Sequence, residues 1–170
     1  MRIITLEEHL TTPLIVSTLA VQGQALTVFA QRLQQKLLDV GTGRLADMDA
    51  AGISLQVLSL SAAPLDRLPV AEAVPIIRDA NDVMAGVMRA HPTRFGAFAA
   101  LPMQEPDAAV VELERCVKGL GFQGVMVSGT VDGRFLDDAR FTPFFEAAQA
   151  LDTPIYLHPA PPPEPVMRAY

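Results

Sequence analysis

The sequence predicts an α/β protein whose strands lie parallel in a single sheet, and two observations lead to this prediction. Short apolar runs alternate along the chain with longer segments that carry the period of a helix. The runs are almost continuously apolar, which is typical of parallel strands buried on both faces. The five predicted strands are Arg2–Leu6, Ser54–Leu60, Phe95–Ala100, Phe122–Val127 and Ile155–Leu157.

The segments between these strands place apolar side chains at helical spacing. One helix is expected from about Leu26 to Ala51, with a break near Gly41 and Gly43. Three more apolar stripes predict helices around 70–88, 109–120 and 141–148. Strand–helix units of this kind form a parallel sheet through right-handed crossovers. The spacing fits either a doubly wound sheet or a (β/α)8 barrel, and the lack of phosphate-binding glycine motifs disfavours nucleotide-binding forms.

Composition excludes several classes of protein. The chain has 170 residues, of which 50% are hydrophobic, so we expect one globular domain over residues 1–170 rather than disorder. The net charge of −6 argues against a nucleic-acid partner, and no apolar run is long enough to cross a membrane. Cys116 is the single cysteine, which rules out an internal disulfide and predicts a cytoplasmic protein with an inert, buried thiol.

Polar residues with metal-binding chemistry lie where two predicted strands end. Glu7 and His9 follow the first strand, and His158 follows the fifth. The carboxyl ends of parallel strands meet at one edge of the sheet, and residues two apart on a strand share a face. Together these residues predict a divalent metal site, although a histidine at a strand end is also compatible with a structural hydrogen bond.

Two other polar residues have simpler interpretations. Arg44 lies in the run RLADMD, where an ion pair with Asp47 or Asp49 on the helix surface explains it. His91 precedes a proline at a predicted helix end, where an imidazole interacts with the last carbonyl groups of the helix.

Several longer segments resemble a known family. They are TLEEHL, RLADMDAAGISLQVLSL, RDANDVMAGVMRAHPTRFGAFAALPMQEPDAAVVELERCV, GLGFQGVMVSG and PFFEAAQALDTPIYLHP. These segments resemble the nonoxidative aromatic acid decarboxylases of the amidohydrolase-related family, of the γ-resorcylate and aminocarboxymuconate semialdehyde decarboxylase type. The resemblance runs from about Ile4 to Pro159.

The resemblance implies a TIM barrel with a divalent metal at its mouth. Glu7 and His9 match the metal ligands of the family's first strand, and His158 matches the ligand after the fifth. A glutamate oxygen in this set favours Mn²⁺, and Zn²⁺ also accepts these ligands. Arg44 matches an arginine that lies near the substrate carboxylate in some relatives. The implied reaction is decarboxylation of an ortho-hydroxylated aromatic acid, with a metal-dependent hydrolase as the alternative.

The resemblance also implies that the chain is incomplete. The family supplies a further histidine after the sixth strand and a proton-donating aspartate after the eighth, and this chain has only about five of eight units. We therefore expect a truncated barrel over residues 1–159 that is impaired or catalytically inert, and that forms a homo-oligomer or is unstable alone. The proline-rich residues 160–170 predict an extended tail, or else the beginning of a loop.

Overall fold

The computed structural model describes residues 1–20, 26–60 and 65–169. Five parallel strands form one curled sheet, half of a barrel, and they are β1 Ile4–His9, β2 Leu55–Ser59, β3 Phe95–Ala99, β4 Gly124–Ser128 and β7 Ile155–His158. The strands lie in the order β1-β2-β3-β4-β7, so all five end at the same edge of the sheet. A short antiparallel hairpin, β5 Thr130–Val131 and β6 Arg134–Phe135, follows β4.

Helices connect consecutive strands of the sheet, and one further helix follows the last strand. They are α1 Pro13–Leu19, α2 Val28–Leu38, α3 Thr42–Ala50, α4 Val70–Ala90, α5 Pro106–Glu114, α6 Thr142–Ala150 and α7 Glu164–Met167. The described structure also contains short helical turns: 3-10 turns at Leu65–Arg67 and Ala139–Phe141, and a π-helical turn at Arg115–Leu120. Gly121 ends that π-helical turn at φ 75°, a left-handed conformation that glycine adopts without steric cost.

The sheet separates two apolar layers. Its outer face packs against the helices in one large core that includes Leu58, Ala97 and Val125. Its inner face carries a smaller cluster of Val57, Phe98 and Met126. The Tyr156 ring stacks on Phe98 with their centroids 5.6 Å apart, which extends the inner layer to β7. In the described ranges, no helix combines the length and apolar composition that a membrane crossing requires.

The structure confirms the parallel α/β fold with five strands, and it confirms the predicted helix break. The expected helix from Leu26 to Ala51 divides into α2 and α3, because the chain becomes extended at Asp39, and Gly41, at φ −126° and ψ −127°, precedes the new helix. The predicted first strand, Arg2–Leu6, is displaced. In the structure it is Ile4–His9, so Glu7 and His9 lie inside the strand rather than after it.

The prediction of an extended tail is wrong in part. Residues Glu164–Met167 form the short helix α7, whose first turn contains a proline. The first turn of a helix has no hydrogen-bond partner for its amide groups, so a proline there costs nothing. Tyr170, the last residue of the predicted tail, lies outside the described residues.

Candidate metal centre

Two histidine side chains meet at the edge of the sheet where β1 and β7 end. The Nε2 atoms of His9 and His158 lie 3.2 Å apart, and the two rings are tilted by 54°. These residues are 149 positions apart in the chain, and the sheet brings them together because every strand ends at this edge. The structure therefore assembles the two imidazoles that the sequence placed at strand ends.

Hydrogen bonds to the other ring nitrogens determine what each Nε2 atom can do. Nδ1 of His158 lies 2.8 Å from the carbonyl oxygen of Pro159, and a carbonyl only accepts, so Nδ1 carries the proton. A neutral His158 then keeps a lone pair on Nε2. Nδ1 of His9 lies 2.9 Å from Oγ of Ser59, a hydroxyl that can accept the same kind of bond. Both rings can thus present an Nε2 lone pair to a shared position.

The separation of the two nitrogens fits a shared metal ion. Two imidazole nitrogens bound to one divalent ion at about 2.1 Å lie roughly 3.0–3.4 Å apart when the angle at the metal is about 90–110°. The observed 3.2 Å falls in this range. Burial and the neighbouring His158 lower the pKa of His9, so its neutral form, which is the form that binds metals, is favoured.

Glu7 lies close to this pair without completing it. Its backbone has a left-handed φ of 57°, at a point where the pairing of β1 with β2 shifts register between Thr5 and Glu8. This bulge breaks the regular alternation that the sequence analysis assumed. The Glu7 carboxylate is exposed but near enough to raise the pKa of His9. In residues 1–20, 26–60 and 65–169, no three His, Cys, Asp or Glu side chains form a cluster that could hold a metal ion.

Arg44 approaches β1 from the helical side of the sheet. Its Nη2 atom donates to the carbonyl oxygen of His9 at 2.9 Å, and its Nε atom donates to the carbonyl oxygen of Asp39 at 2.9 Å. The expected ion pairs with Asp47 or Asp49 do not form in the described structure, where Lys36 and Arg94 pair with those aspartates instead. Arg44 lines a cavity of about 480 Å³ together with Glu7, Glu8 and His9. A role in substrate orientation stays a prediction.

His91 and Cys116 make contacts that are typical of structural residues. The amide of His91 donates to the carbonyl oxygen of Val87 at the end of α4, and its ring meets Phe95 edge to face. Cys116 is fully buried, and burial together with the nearby Glu112 carboxylate raises the pKa of its thiol. A thiol with a raised pKa is a weak nucleophile, which agrees with the predicted inert role.

The sequence did not indicate two buried polar residues, Ser59 and Asn81, that form hydrogen bonds to the strands or to the residues that follow them. Ser59 is fully buried and contacts His9, and its place at the end of the run SLQVLSL was the available signal. Asn81 on α4 is also fully buried: its side chain donates to the carbonyl oxygen of Ala100 and to Glu112, and it accepts from the amide of Ala100. No local pattern distinguishes this asparagine from one on a helix surface.

Comparison with known proteins identifies the family of the chain. The family model described as amidohydrolase matches residues 41–169. The γ-resorcylate decarboxylase of Rhodococcus jostii RHA1 is 43% identical over 169 residues, which cover 94% of this chain and 51% of that protein. The chain therefore spans about half the length of the curated relatives it matches.

Solved structures of similar proteins have the same fold over the whole chain. A 2,6-dihydroxybenzoate decarboxylase in complex with 2,6-dihydroxybenzoate has a TM-score of 0.85 at 41% identity, and the match covers all of this chain and 54% of that one. A dihydroxybenzoic acid decarboxylase from Polaromonas sp. JS666, with bound manganese and 2-nitroresorcinol, has a TM-score of 0.83 at 38% identity, covering 100% and 53%. The chain belongs to the amidohydrolase family.

Proposed function

We propose that His9 and His158 are ligands of a divalent metal ion, and that Glu7 is a third ligand. The observation that carries this proposal is the 3.2 Å separation of the two Nε2 atoms, together with hydrogen bonds that leave both lone pairs available. Glu7 is included because it lies two residues from His9 on β1 and its carboxylate raises the pKa of His9. These three residues would hold the ion.

Mn²⁺ is the ion we assign to this site, with Zn²⁺ as the alternative. A ligand set with one carboxylate oxygen and two imidazoles suits both ions. The manganese bound to the Polaromonas relative favours Mn²⁺. When bound, the ion supplies a positive charge that stabilises negative charge on a carboxylate or phenolate oxygen of the substrate.

The reaction that we propose is nonoxidative decarboxylation of an ortho-hydroxylated aromatic acid. In this reaction the bond between the ring carbon and the carboxyl group breaks, carbon dioxide leaves, and the ring carbon takes up a proton. A small aromatic carboxylic acid is the substrate because the relatives of this chain act on dihydroxybenzoates. The residues of this chain hold the site: Ser59 orients His9 from one side, and Arg44 holds the His9 backbone from the other.

The test is a comparison of two activities on the same preparation. The chain is incubated with Mn²⁺ and 2,6-dihydroxybenzoate, and resorcinol is measured by chromatography; a lactone is offered separately to detect hydrolysis. We expect resorcinol to form with the wild type and not with His158→Ala. Lactone hydrolysis without resorcinol would establish the hydrolase alternative. Neither product would mean that this chain alone is inert.

The free strand edges support a second proposal, that the chain associates. In the described structure, β1 and β7 are the outer strands of the sheet, and both expose apolar side chains. Leu6 is 46% exposed and Leu157 is 59% exposed. Unpaired edges with apolar side chains favour association between chains. Sedimentation over a range of concentrations tests this, since a monomer at all concentrations would contradict it.

A further inference from the structure

Tyr156 lies on the inner face of the sheet, on the same strand as one histidine of the candidate metal centre. It precedes His158 by two positions on β7, and residues two apart on a strand share a face. Its ring stacks on Phe98 of the inner cluster, with the centroids 5.6 Å apart and the planes tilted by 28°. Packing against this cluster therefore holds the ring on the side of the sheet that carries His158.

Glu7 has the corresponding position on the other outer strand. It precedes His9 by two residues on β1, as Tyr156 precedes His158 on β7. The two strands are the outer strands of the curled sheet, and their histidines meet with the Nε2 atoms 3.2 Å apart. The curvature that joins the histidines also brings the side chains before them together, because the hydroxyl of Tyr156 donates a hydrogen bond to the Glu7 carboxylate.

This contact accounts for the environment of both side chains. Desolvation of the phenol and its hydrogen bond to Glu7 raise the pKa of Tyr156, so the hydroxyl keeps its proton and acts as the donor. Glu7 has a left-handed φ of 57°, a conformation that a residue with a side chain keeps only where its surroundings hold it. Among the described residues Glu7 forms no salt bridge, so the phenol is the group that holds its carboxylate.

We propose that Tyr156 is a positioning residue, whose hydroxyl holds the Glu7 carboxylate on the inner side of β1 as a ligand for the metal ion. This inference rests on the proposed function, because it takes Glu7 as the third ligand beside His9 and His158. A carboxylate has two oxygens with about four acceptor positions, so one phenol donor leaves room for an ion. A carboxylate that is already held in place loses less conformational freedom when the ion binds, which raises the affinity.

The Mn²⁺ affinity of Tyr156→Phe, measured by competition with a fluorescent chelator, tests the proposal without turnover. The substitution keeps the ring that stacks on Phe98 and removes only the hydroxyl. We expect the affinity to fall roughly tenfold or more, because an outer partner of a metal ligand is lost. The matched control is Thr130→Val, which removes a hydroxyl that donates to the carbonyl oxygen of Pro161 and should keep the wild-type affinity.

The outcomes separate this proposal from the metal site on which it rests. Wild-type affinity in Tyr156→Phe, or an equal loss in Thr130→Val, would overturn the positioning role and leave the metal site standing. A wild-type chain that binds no Mn²⁺ would overturn both.

A double-mutant cycle in the metal-free chain gives an independent readout. Tyr156→Phe, Glu7→Ala and the double variant are unfolded with urea and compared with the wild type. Substitutions of residues in contact have non-additive effects on stability, whereas the effects of distant substitutions add. We expect the double variant to lose less stability than the two single losses together. Additive losses would show that the hydroxyl does not hold the carboxylate, and would overturn the proposal whatever the metal content of the chain.

Discussion

The hydroxyl oxygen of Ser59 lies 2.9 Å from Nδ1 of His9, across the parallel pairing of β1 with β2. The contact links the candidate metal centre to the interior of the sheet, because Ser59 is fully buried and continues the inner face that carries Val57. A hydroxyl that accepts from Nδ1 fixes the imidazole with its Nε2 lone pair directed at His158. A hydrogen bond to the other ring nitrogen fixes the tautomer and the ring orientation of a metal-binding histidine.

Ser59→Ala should weaken metal binding while leaving the fold intact. Loss of an outer partner of a metal-bound histidine typically lowers affinity about 10- to 100-fold. The matched control is Ser128→Ala, a buried serine at the end of β4 whose Cα partner is His158. Competition with a fluorescent chelator measures both affinities. Equal Mn²⁺ affinity in the two variants would show that Ser59 does not orient His9.

Arg44→Met should destabilise the chain through the His9 backbone. The substitution keeps the apolar stem but removes the donors that serve the carbonyl oxygens of His9 and Asp39, at a cost of about 1–3 kcal/mol in the free energy of unfolding. Lys36→Met in the same cavity is the control, since it breaks only an exposed ion pair. Urea unfolding measures both. A stable Arg44→Met variant that fails only to bind an aromatic acid would instead support the substrate-orienting role.

Asn81→Ala should lower the free energy of unfolding by more than is usual for a polar residue on a helix. It removes the side-chain partner of both backbone groups of Ala100 and one of the donors to Glu112, which costs about 2–4 kcal/mol. Asp82→Ala removes an exposed ion pair with Arg115 from the next position of the helix and should cost less than about 1 kcal/mol. Chemical denaturation gives both values, and similar losses for the two variants would contradict the assignment.

The stability of the chain should depend on pH through Asp66. Its pKa is raised from 3.8 to about 7 in the folded state, so the folded protein holds a proton that the unfolded chain releases. The free energy of unfolding therefore falls as pH rises through this window and levels off above it. Asp66→Asn removes this dependence, and its stability relative to wild type should increase by roughly 1–3 kcal/mol between about pH 5 and about pH 8. A constant difference between the two proteins would contradict the burial of this carboxyl group.

The fold was predictable because its signals are local. Apolar runs with helical segments between them specify parallel strands, and Gly41 lies at the division between α2 and α3, whereas Gly43 is within α3. The juxtaposition of His9 and His158 followed from a general property of parallel sheets, whose strands end at one edge. These inferences need no knowledge of side-chain packing.

The rest of the site depends on contacts that no local pattern encodes. The bulge at Glu7 changes which side chains share a face, and period-two alternation does not foresee an inserted residue. Arg44 has acidic neighbours in sequence, yet it bonds to carbonyl groups that the fold brings within reach. Asn81 and Asp66 gain their importance only from burial, which depends on tertiary structure.

The most direct test of the central proposal is the metal content of the purified chain after equilibration with Mn²⁺. Elemental analysis of the wild type, His9→Ala, His158→Ala and His91→Ala compares the two proposed ligands with a histidine at a helix end. The proposal predicts about one tightly held ion per chain in the wild type and in His91→Ala, and its loss in the other two variants. Wild-type protein without bound metal, or unchanged occupancy in His9→Ala and His158→Ala, would contradict the assignment of the metal site.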